Sequence, residues 1–168
     1  MRTIIFSDSH GEMSYLRQAL ALALEGGTID QCVHLGDGMG DFAKLDALLT
    51  ASNFRMRRVT ISGNNDFDFF GLSPMQLVDL GGGIMALATH GHRYHVRQGV
   101  DALVYAAQQH GCQAALYGHT HLAEARLYQG VWVINPGAIC EKRSGLPAFA
   151  EIVTDEKGHL TARLVKWP

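Results

Sequence analysis

The chain has 168 residues and a formal charge of −2 at pH 7, with 47% hydrophobic and 18% charged residues. This length and composition predict a single compact domain over residues 1–168, and a near-neutral charge with only short basic clusters argues against a long nucleic acid as the main partner. No apolar stretch approaches the ~20 residues that a bilayer span requires, so we expect a cytoplasmic protein without membrane contact.

The first sixty residues alternate between strand and helix patterns. Strand-like runs at 3–7, 31–35 and 56–62 are separated by helix-forming segments at 12–25 and 41–50. Such alternation is typical of parallel strands that are joined by helical crossovers.

The second half is richer in strand patterns. Two candidates flank Gly81-Gly82 and predict a hairpin, and they are followed by a predicted helix and a short strand, in the order 75–80, 83–89, 96–110 and 114–117. From Leu122 onward we expect an antiparallel run of four more strands at 123–128, 131–134, 148–154 and 160–166. Together these patterns predict an α/β fold, with two mixed sheets packed face to face as a β-sandwich and helices outside them.

Polar side chains follow five of the predicted strands at the point where each strand ends. The segments are Asp8-Ser9-His10, Gly36-Asp37-Gly38, Gly63-Asn64-Asn65-Asp66, His90-Gly91-His92 and Gly118-His119-Thr120-His121. Any one of them alone is better explained as a helix cap, a turn or a buried histidine. Because strand carboxyl ends in an α/β sheet share an edge where ligands collect, the five together predict one functional site.

The ligand types in these segments are oxygen and imidazole, without a thiolate. Two aspartates, an asparagine amide and four histidines suit Mn, Fe, Ni, Co or Zn better than Ca. Seven ligands exceed the needs of one tetrahedral ion, whereas two ions about 3.5–4 Å apart would use them all. The three cysteines form no C-x-x-C pair, so we expect them to be buried apolar residues.

The ordered set D-x-H, GD, GN-x-D, H-G-H and GH-x-H resembles the calcineurin-like metallophosphoesterases, and within them the small YfcE-like phosphodiesterases. The resemblance covers essentially the whole chain and implies the β-sandwich fold of that family. It also implies how the ligands divide: Asp8, His10 and His121 for one ion, Asn64, His90 and His119 for the other, and Asp37 as the bridge. The implied activity is hydrolysis of phosphoesters by a hydroxide held between two divalent ions, with Mn favoured and Ni, Co, Fe or Zn as alternatives.

One position departs from the family pattern. Many members read GNH followed by an acidic residue, and this chain has Asn65 in place of the histidine. An amide donates a hydrogen bond but transfers no proton, so a general-acid contribution of ~10²–10⁴-fold is expected to be missing. His92 is either a substitute acid or a supporting residue, and Asp66 is expected to orient the loop or a ligand rather than act as a base.

Small phosphodiesters with good leaving groups are the expected substrates, and phosphomonoesters are the alternative. The competing class is a non-catalytic interaction scaffold, like the retromer subunit of the same fold; the seven intact ligand positions favour the enzyme. Phe67, Phe69 and Phe70, with Leu72, are expected to pack half-buried, and a substrate entrance or a homo-oligomer contact are the other interpretations.

Overall fold

The computed structural model describes residues 1–67, 71, 73–140 and 146–167. Within them the chain forms ten strands and three α-helices. In chain order these are β1 (Arg2–Phe6), α1 (Met13–Glu25), β2 (Gln31–His34), α2 (Met39–Ala51), β3 (Arg57–Thr60), β4 (Met75–Asp79), β5 (Met85–Thr89), α3 (Asp101–Gln109), β6 (Ala114–Leu116), β7 (Glu124–Tyr128), β8 (Val131–Asn135), β9 (Ala148–Thr154) and β10 (Leu160–Lys166).

The strands form two five-stranded mixed sheets that pack face to face. The first has the order β10-β9-β1-β2-β3, in which β1, β2 and β3 are parallel. The second has the order β4-β5-β6-β8-β7, in which β5, β6 and β8 are parallel. Ile5 and Val33 of the first sheet share one buried core with Ala88 and Leu116 of the second. The predicted α/β sandwich is therefore confirmed.

Helices cover the outer faces of both sheets. Helix α1 buries residues 16, 19, 20 and 23, the spacing of a single helix face, and packs with α2 against the first sheet. Helix α3 packs against the second sheet through Leu103, Val104 and Ala107. None of the helices in the described ranges is long and apolar enough to cross a bilayer.

Two predictions for the second half of the chain are wrong. The strands after Leu122 do not form one antiparallel run, because β8 pairs in parallel with β6 and β9 pairs with β1 in the other sheet. The helix predicted over 96–110 begins only at Asp101, because His95 (φ 53°) and Gly99 (φ 149°) have left-handed backbone angles. Val96 and Val100 are nevertheless buried, which accounts for the helix-like apolar pattern.

Two smaller expectations concern apolar side chains. All three cysteines are buried, as predicted. Phe67 is 73% exposed, so the half-buried packing expected for it is wrong. Phe69, Phe70 and Leu72 lie outside the described residues.

Candidate metal centre

The loops that follow β1, β2, β3, β5 and β6 bring the predicted ligands to one edge of the sandwich. They carry, in chain order, Asp8 with His10, Asp37, Asn64, His90, and His119 with His121. Backbone hydrogen bonds join neighbouring loops within each sheet, from Asp8 N to Gly36 O (3.0 Å) and from Gly118 N to His90 O (3.1 Å). The two sheets are joined where the backbone N–H of His119 donates to Asp8 Oδ2 at 3.1 Å.

Asp8, His10 and His121 form the first ligand group. Asp8 Oδ1 lies 3.1 Å from His121 Nε2 and 3.6 Å from His10 Nε2, and the two imidazole nitrogens are 3.3 Å apart. The three atoms therefore face one point, and these are the residues that the family resemblance assigns to one ion.

Asp8, Asp37 and His90 form a second group. Asp37 Oδ2 lies 3.4 Å from His90 Nε2 in its own group and 3.9 Å from His10 Nε2 in the first group. Asn64 Oδ1 lies 3.1 Å from His90 Nε2. Asp8 belongs to both groups, so the two clusters adjoin, and the exact division of ligands between two ions stays a prediction.

The orientation of the His90 ring is fixed by a hydrogen bond from the ring nitrogen that faces away from Asp37 and Asn64. Its Nδ1 lies 2.8 Å from the carbonyl oxygen of Leu35, a contact in which the ring nitrogen must donate. The Nδ1 proton is thus directed at Leu35, and Nε2 faces Asp37 and Asn64. A backbone carbonyl on the far nitrogen is the usual way in which proteins orient a metal-binding histidine.

His119 and His92 lie next to this arrangement but outside both groups. The His119 ring packs edge-on against His90, with centroids 5.2 Å apart, and the His92 ring lies 5.5 Å from His90 and 6.1 Å from His119. Nδ1 of His92 is buried without a hydrogen-bond partner. The ligand role of His119 and the acid role of His92 stay predictions.

The carboxylate of Asp66 is occupied by hydrogen bonds from backbone N–H groups. Oδ2 accepts the N–H groups of Asp37 (2.7 Å) and Gly63 (2.8 Å), and Oδ1 accepts those of Gly38 and Met39, both at 3.0 Å. It thereby joins the loop after β2 to the loop after β3. The neighbouring Asn65 is exposed and contacts the Asp37 carboxylate.

The backbone of this edge is unusual in its dihedral angles. Eight non-glycine residues in the described ranges have positive φ, and five of them are predicted ligands: Asp8 (55°), His10 (45°), Asp37 (55°), His119 (66°) and His121 (62°). Such angles cost energy for residues with a Cβ and concentrate at functional sites. The fold therefore maintains a conformation here that local preference alone would not select.

Two glycines show how closely the loops approach. A Cβ on Gly63 would lie 2.1 Å from Asp37 Oδ1, and one on Gly118 would lie 2.0 Å from Ser7 Oγ and 2.7 Å from Asp8 Oδ2. Any side chain at either position would displace a candidate ligand. Glycine is therefore required at both positions.

Two supporting residues were not found from the sequence. Asp41, in the first turn of α2, accepts hydrogen bonds at Oδ2 from Ser9 Oγ (2.7 Å) and Gly11 N (2.8 Å), on either side of His10. Asn135, at the end of β8, donates from Nδ2 to Thr120 Oγ1 (2.9 Å), between His119 and His121. Both are buried and far in sequence from the loops that they support, so no local pattern connects them.

The carboxylates of the centre are ionised at neutral pH. Burial opposes the ionisation of Asp8, but the imidazoles of His10 and His121 outweigh it and hold its pKa well below the usual range. Burial likewise acts against ionisation of Asp37, where His90 and then Asn65 lower the pKa to about 2. The edge thus presents concentrated negative charge together with imidazole nitrogens, which suits a divalent cation.

Two features of the first ligand group are better explained by a bound metal ion than by hydrogen bonding alone. Asp8 Oδ1 is buried without a hydrogen-bond partner, and the Nε2 atoms of His10 and His121 face each other at 3.3 Å. Ligand atoms about 2.0–2.2 Å from one ion lie roughly 3–3.6 Å from each other. The three atoms of the first group are 3.1, 3.3 and 3.6 Å apart. The donor set therefore fits divalent metal at this edge.

The fold and the two adjoining ligand groups define an α/β protein with a candidate two-metal centre. Residues 1–157 match the family model described as the calcineurin-like phosphoesterase superfamily domain. The chain belongs to this family, as the motif resemblance predicted.

Individual relatives agree with this membership. The chain is 30% identical over 163 residues to the probable metallophosphoesterase YsnB of Bacillus subtilis, covering 97% of this chain and 89% of YsnB. It is 25% identical over 173 residues to a phosphodiesterase of Methanocaldococcus jannaschii, covering 94% of this chain and 95% of the relative. A crystal structure of a predicted phosphoesterase from Streptococcus pneumoniae superposes with a TM-score of 0.72 at 23% identity, over 99% of this chain and 97% of the other, and shares the fold.

Proposed function

We propose that this phosphoesterase family member is a two-metal phosphodiesterase that hydrolyses small phosphodiesters. The observation that carries the proposal is the adjoining pair of ligand groups, Asp8-His10-His121 and Asp8-Asp37-His90, which share Asp8 at one edge of the sandwich. When bound, two divalent ions there would supply an activated water and neutralise the charge that develops on the phosphoryl oxygens.

The residues of the chain prepare this edge for the reaction. Asp8 and Asp37 remain ionised, Leu35 directs Nε2 of His90 toward the centre, and Asp66 fixes the backbone that carries Asp37. Little reorganisation is then needed when charge develops in the transition state. In the net reaction, a water oxygen bonds to phosphorus, one ester P–O bond breaks, and the departing oxygen leaves as an alcohol with a proton from that water.

The preference for diesters with good leaving groups follows from Asn65. An amide beside the centre provides no proton for a basic alkoxide, so departure depends on the stability of the leaving group itself. The similarity to a relative named as a phosphodiesterase supports the diester class. Manganese is the first metal to test, and Ni, Co, Fe and Zn suit the same ligand types.

A comparison of two nitrophenyl substrates tests the proposal. Protein purified without chelator and supplied in turn with Mn, Ni, Co, Fe, Mg and Zn should hydrolyse bis-p-nitrophenyl phosphate faster than p-nitrophenyl phosphate. Equal or faster turnover of the monoester with the same metal would assign a phosphomonoesterase instead.

Asp37→Ala should abolish both metal binding and turnover, because its carboxylate lies near His90 of one ligand group and near His10 of the other. Asp155→Ala, in an exposed turn after β9, is the matched control and should leave both unchanged. The non-catalytic scaffold predicts neither bound metal nor hydrolysis with any of these ions. Activity that survives Asp37→Ala would place the reaction elsewhere.

A further inference from the structure

A cleft of about 500 Å³ opens beside the loop that carries His119 and His121. Its walls come from the segment before α3 and from β7, and the residues that matter below are Val96, Arg97, Val100, Tyr117, Thr120 and Arg126. Its volume is within the range of ligand sites, roughly 300–1,000 Å³.

The cleft and the candidate centre share a wall. Thr120 lines the cleft and lies between His119 and His121 in the chain. The side-chain amide of Asn135 donates a hydrogen bond to the Thr120 hydroxyl at 2.9 Å. The guanidinium of Arg97, which also lines the cleft, donates to the backbone carbonyl of His119 at 3.5 Å. A substrate whose phosphorus lies at the centre could therefore extend its remaining part into the cleft.

The two arginines that line the cleft differ in their partners. Arg126 forms an ion pair with Glu124 at 2.9 Å and lies over the Tyr128 ring, and the Tyr117 hydroxyl donates to the same glutamate. Arg97 has no carboxylate within ion-pair distance among the described residues, and its side chain is exposed. An unpaired guanidinium presents a planar fork of donors that matches a phosphate or carboxylate.

The base of the cleft has a different character. Val96 is 5% exposed, Val100 7% and Tyr117 4%, so the walls below the arginine are firmly packed apolar side chains. A rigid apolar surface beside the Arg97 guanidinium suits a ligand with a ring at one end and an anionic group at the other.

We propose that this cleft binds the non-reacting part of the phosphodiester and that Arg97 selects substrates with a second anionic group there. The role presupposes the phosphodiesterase function proposed above. The substrate class is accordingly a phosphodiester whose retained part carries a ring and a second anionic group, for which a phosphorylated nucleoside is the probe, rather than a diester of simple alcohols.

The first test uses two esters with the same leaving group. The p-nitrophenyl ester of thymidine 5′-phosphate and the same ester with an additional 3′-phosphate differ only in the second anion. Wild-type protein should favour the 3′-phosphorylated ester in kcat/KM by about tenfold or more. Arg97→Gln should lose this preference, and Arg17→Gln, an exposed arginine on α1, should retain it.

The second test does not depend on turnover. Thymidine 3′,5′-bisphosphate should bind wild-type protein supplied with Mn and the Arg17→Gln control with equal affinity, and Arg97→Gln about tenfold more weakly, as measured by calorimetry. Equal cleavage of both esters by wild type would overturn the role of Arg97 and leave the phosphodiesterase intact. Failure to cleave any diester would overturn the proposed function, and equal binding by wild type and Arg97→Gln would overturn the anion site itself.

Discussion

Asn65 holds the carboxylate of Asp37 at both oxygens. Its backbone N–H donates to Oδ1 at 2.8 Å, and its side-chain amide donates to Oδ2 at 2.5 Å. The residue that replaces the family histidine is therefore engaged with the predicted bridging ligand. It keeps that carboxylate ionised and oriented, but it provides no proton for a departing alkoxide.

Asn65→His should increase the hydrolysis of diphenyl phosphate relative to bis-p-nitrophenyl phosphate by about tenfold or more, because imidazole can protonate the poorer leaving group. Asn65→Ala is the control, since it removes the amide contact with Asp37 without adding an acid. The measurement is the ratio of the two kcat/KM values in each variant. The same ratio in Asn65→His and Asn65→Ala would mean that His92 or water already delivers the proton.

Asp66→Ala should lower the free energy of unfolding by about 2–3 kcal/mol and weaken metal binding, because four backbone N–H groups lose a charged acceptor. Asp66→Asn retains one acceptor oxygen and should lose about half as much. Denaturant unfolding and metal calorimetry measure the two effects. If instead activity disappeared while stability and metal affinity were unchanged, Asp66 would act on the substrate directly.

The sequence predicted the convergence of the ligand loops well, and the physical reason is topological. Parallel strands with crossover helices place every strand end on one edge, so Asp8, Asp37 and His90 could be brought together without knowing the sheet order. The strand order of the sheets was not predictable. Strand β9 pairs with β1, and the two strands are too far apart in the sequence for a local pattern to indicate that they pair. The left-handed backbone angles at five ligand positions were also not predictable from the sequence. Such angles persist only where the surrounding structure imposes them, and local sequence preference does not favour them.

Asp41 is a positioning residue that the sequence pattern did not reveal. Asp41→Ala should weaken metal binding about ten- to a hundredfold. The reason is that Ser9 and Gly11, on either side of His10, would lose the carboxylate that accepts their hydrogen bonds. Asp46→Ala is the matched control on the same helix, where the carboxylate only forms a partly exposed ion pair with Arg58. Metal titration of both variants checks this. Equal affinity in the two would show that the His10 loop is held by its backbone alone.

The pH dependence of stability should include a contribution from Glu151, away from the candidate centre. Its carboxylate is ion-paired with Arg2 at 3.1 Å and Arg163 at 2.6 Å and is buried, and although burial opposes ionisation, the two arginines lower its pKa below the usual 4.5. A folded-state pKa below the unfolded one means that the ion pairs stabilise fully above about pH 4.5 and lose their effect as the pH falls through the lower folded value.

Glu151→Gln should therefore reduce the free energy of unfolding by roughly 1–2 kcal/mol at neutral pH, and this difference from wild type should shrink below about pH 4.5. Urea unfolding of both proteins at several pH values measures the difference. Glu156→Gln, in the exposed turn between β9 and β10, is the control and should change stability by less than about 0.5 kcal/mol. A difference for Glu151→Gln that stays constant down to about pH 3 would mean that the arginines bind the neutral side chain as well as the carboxylate.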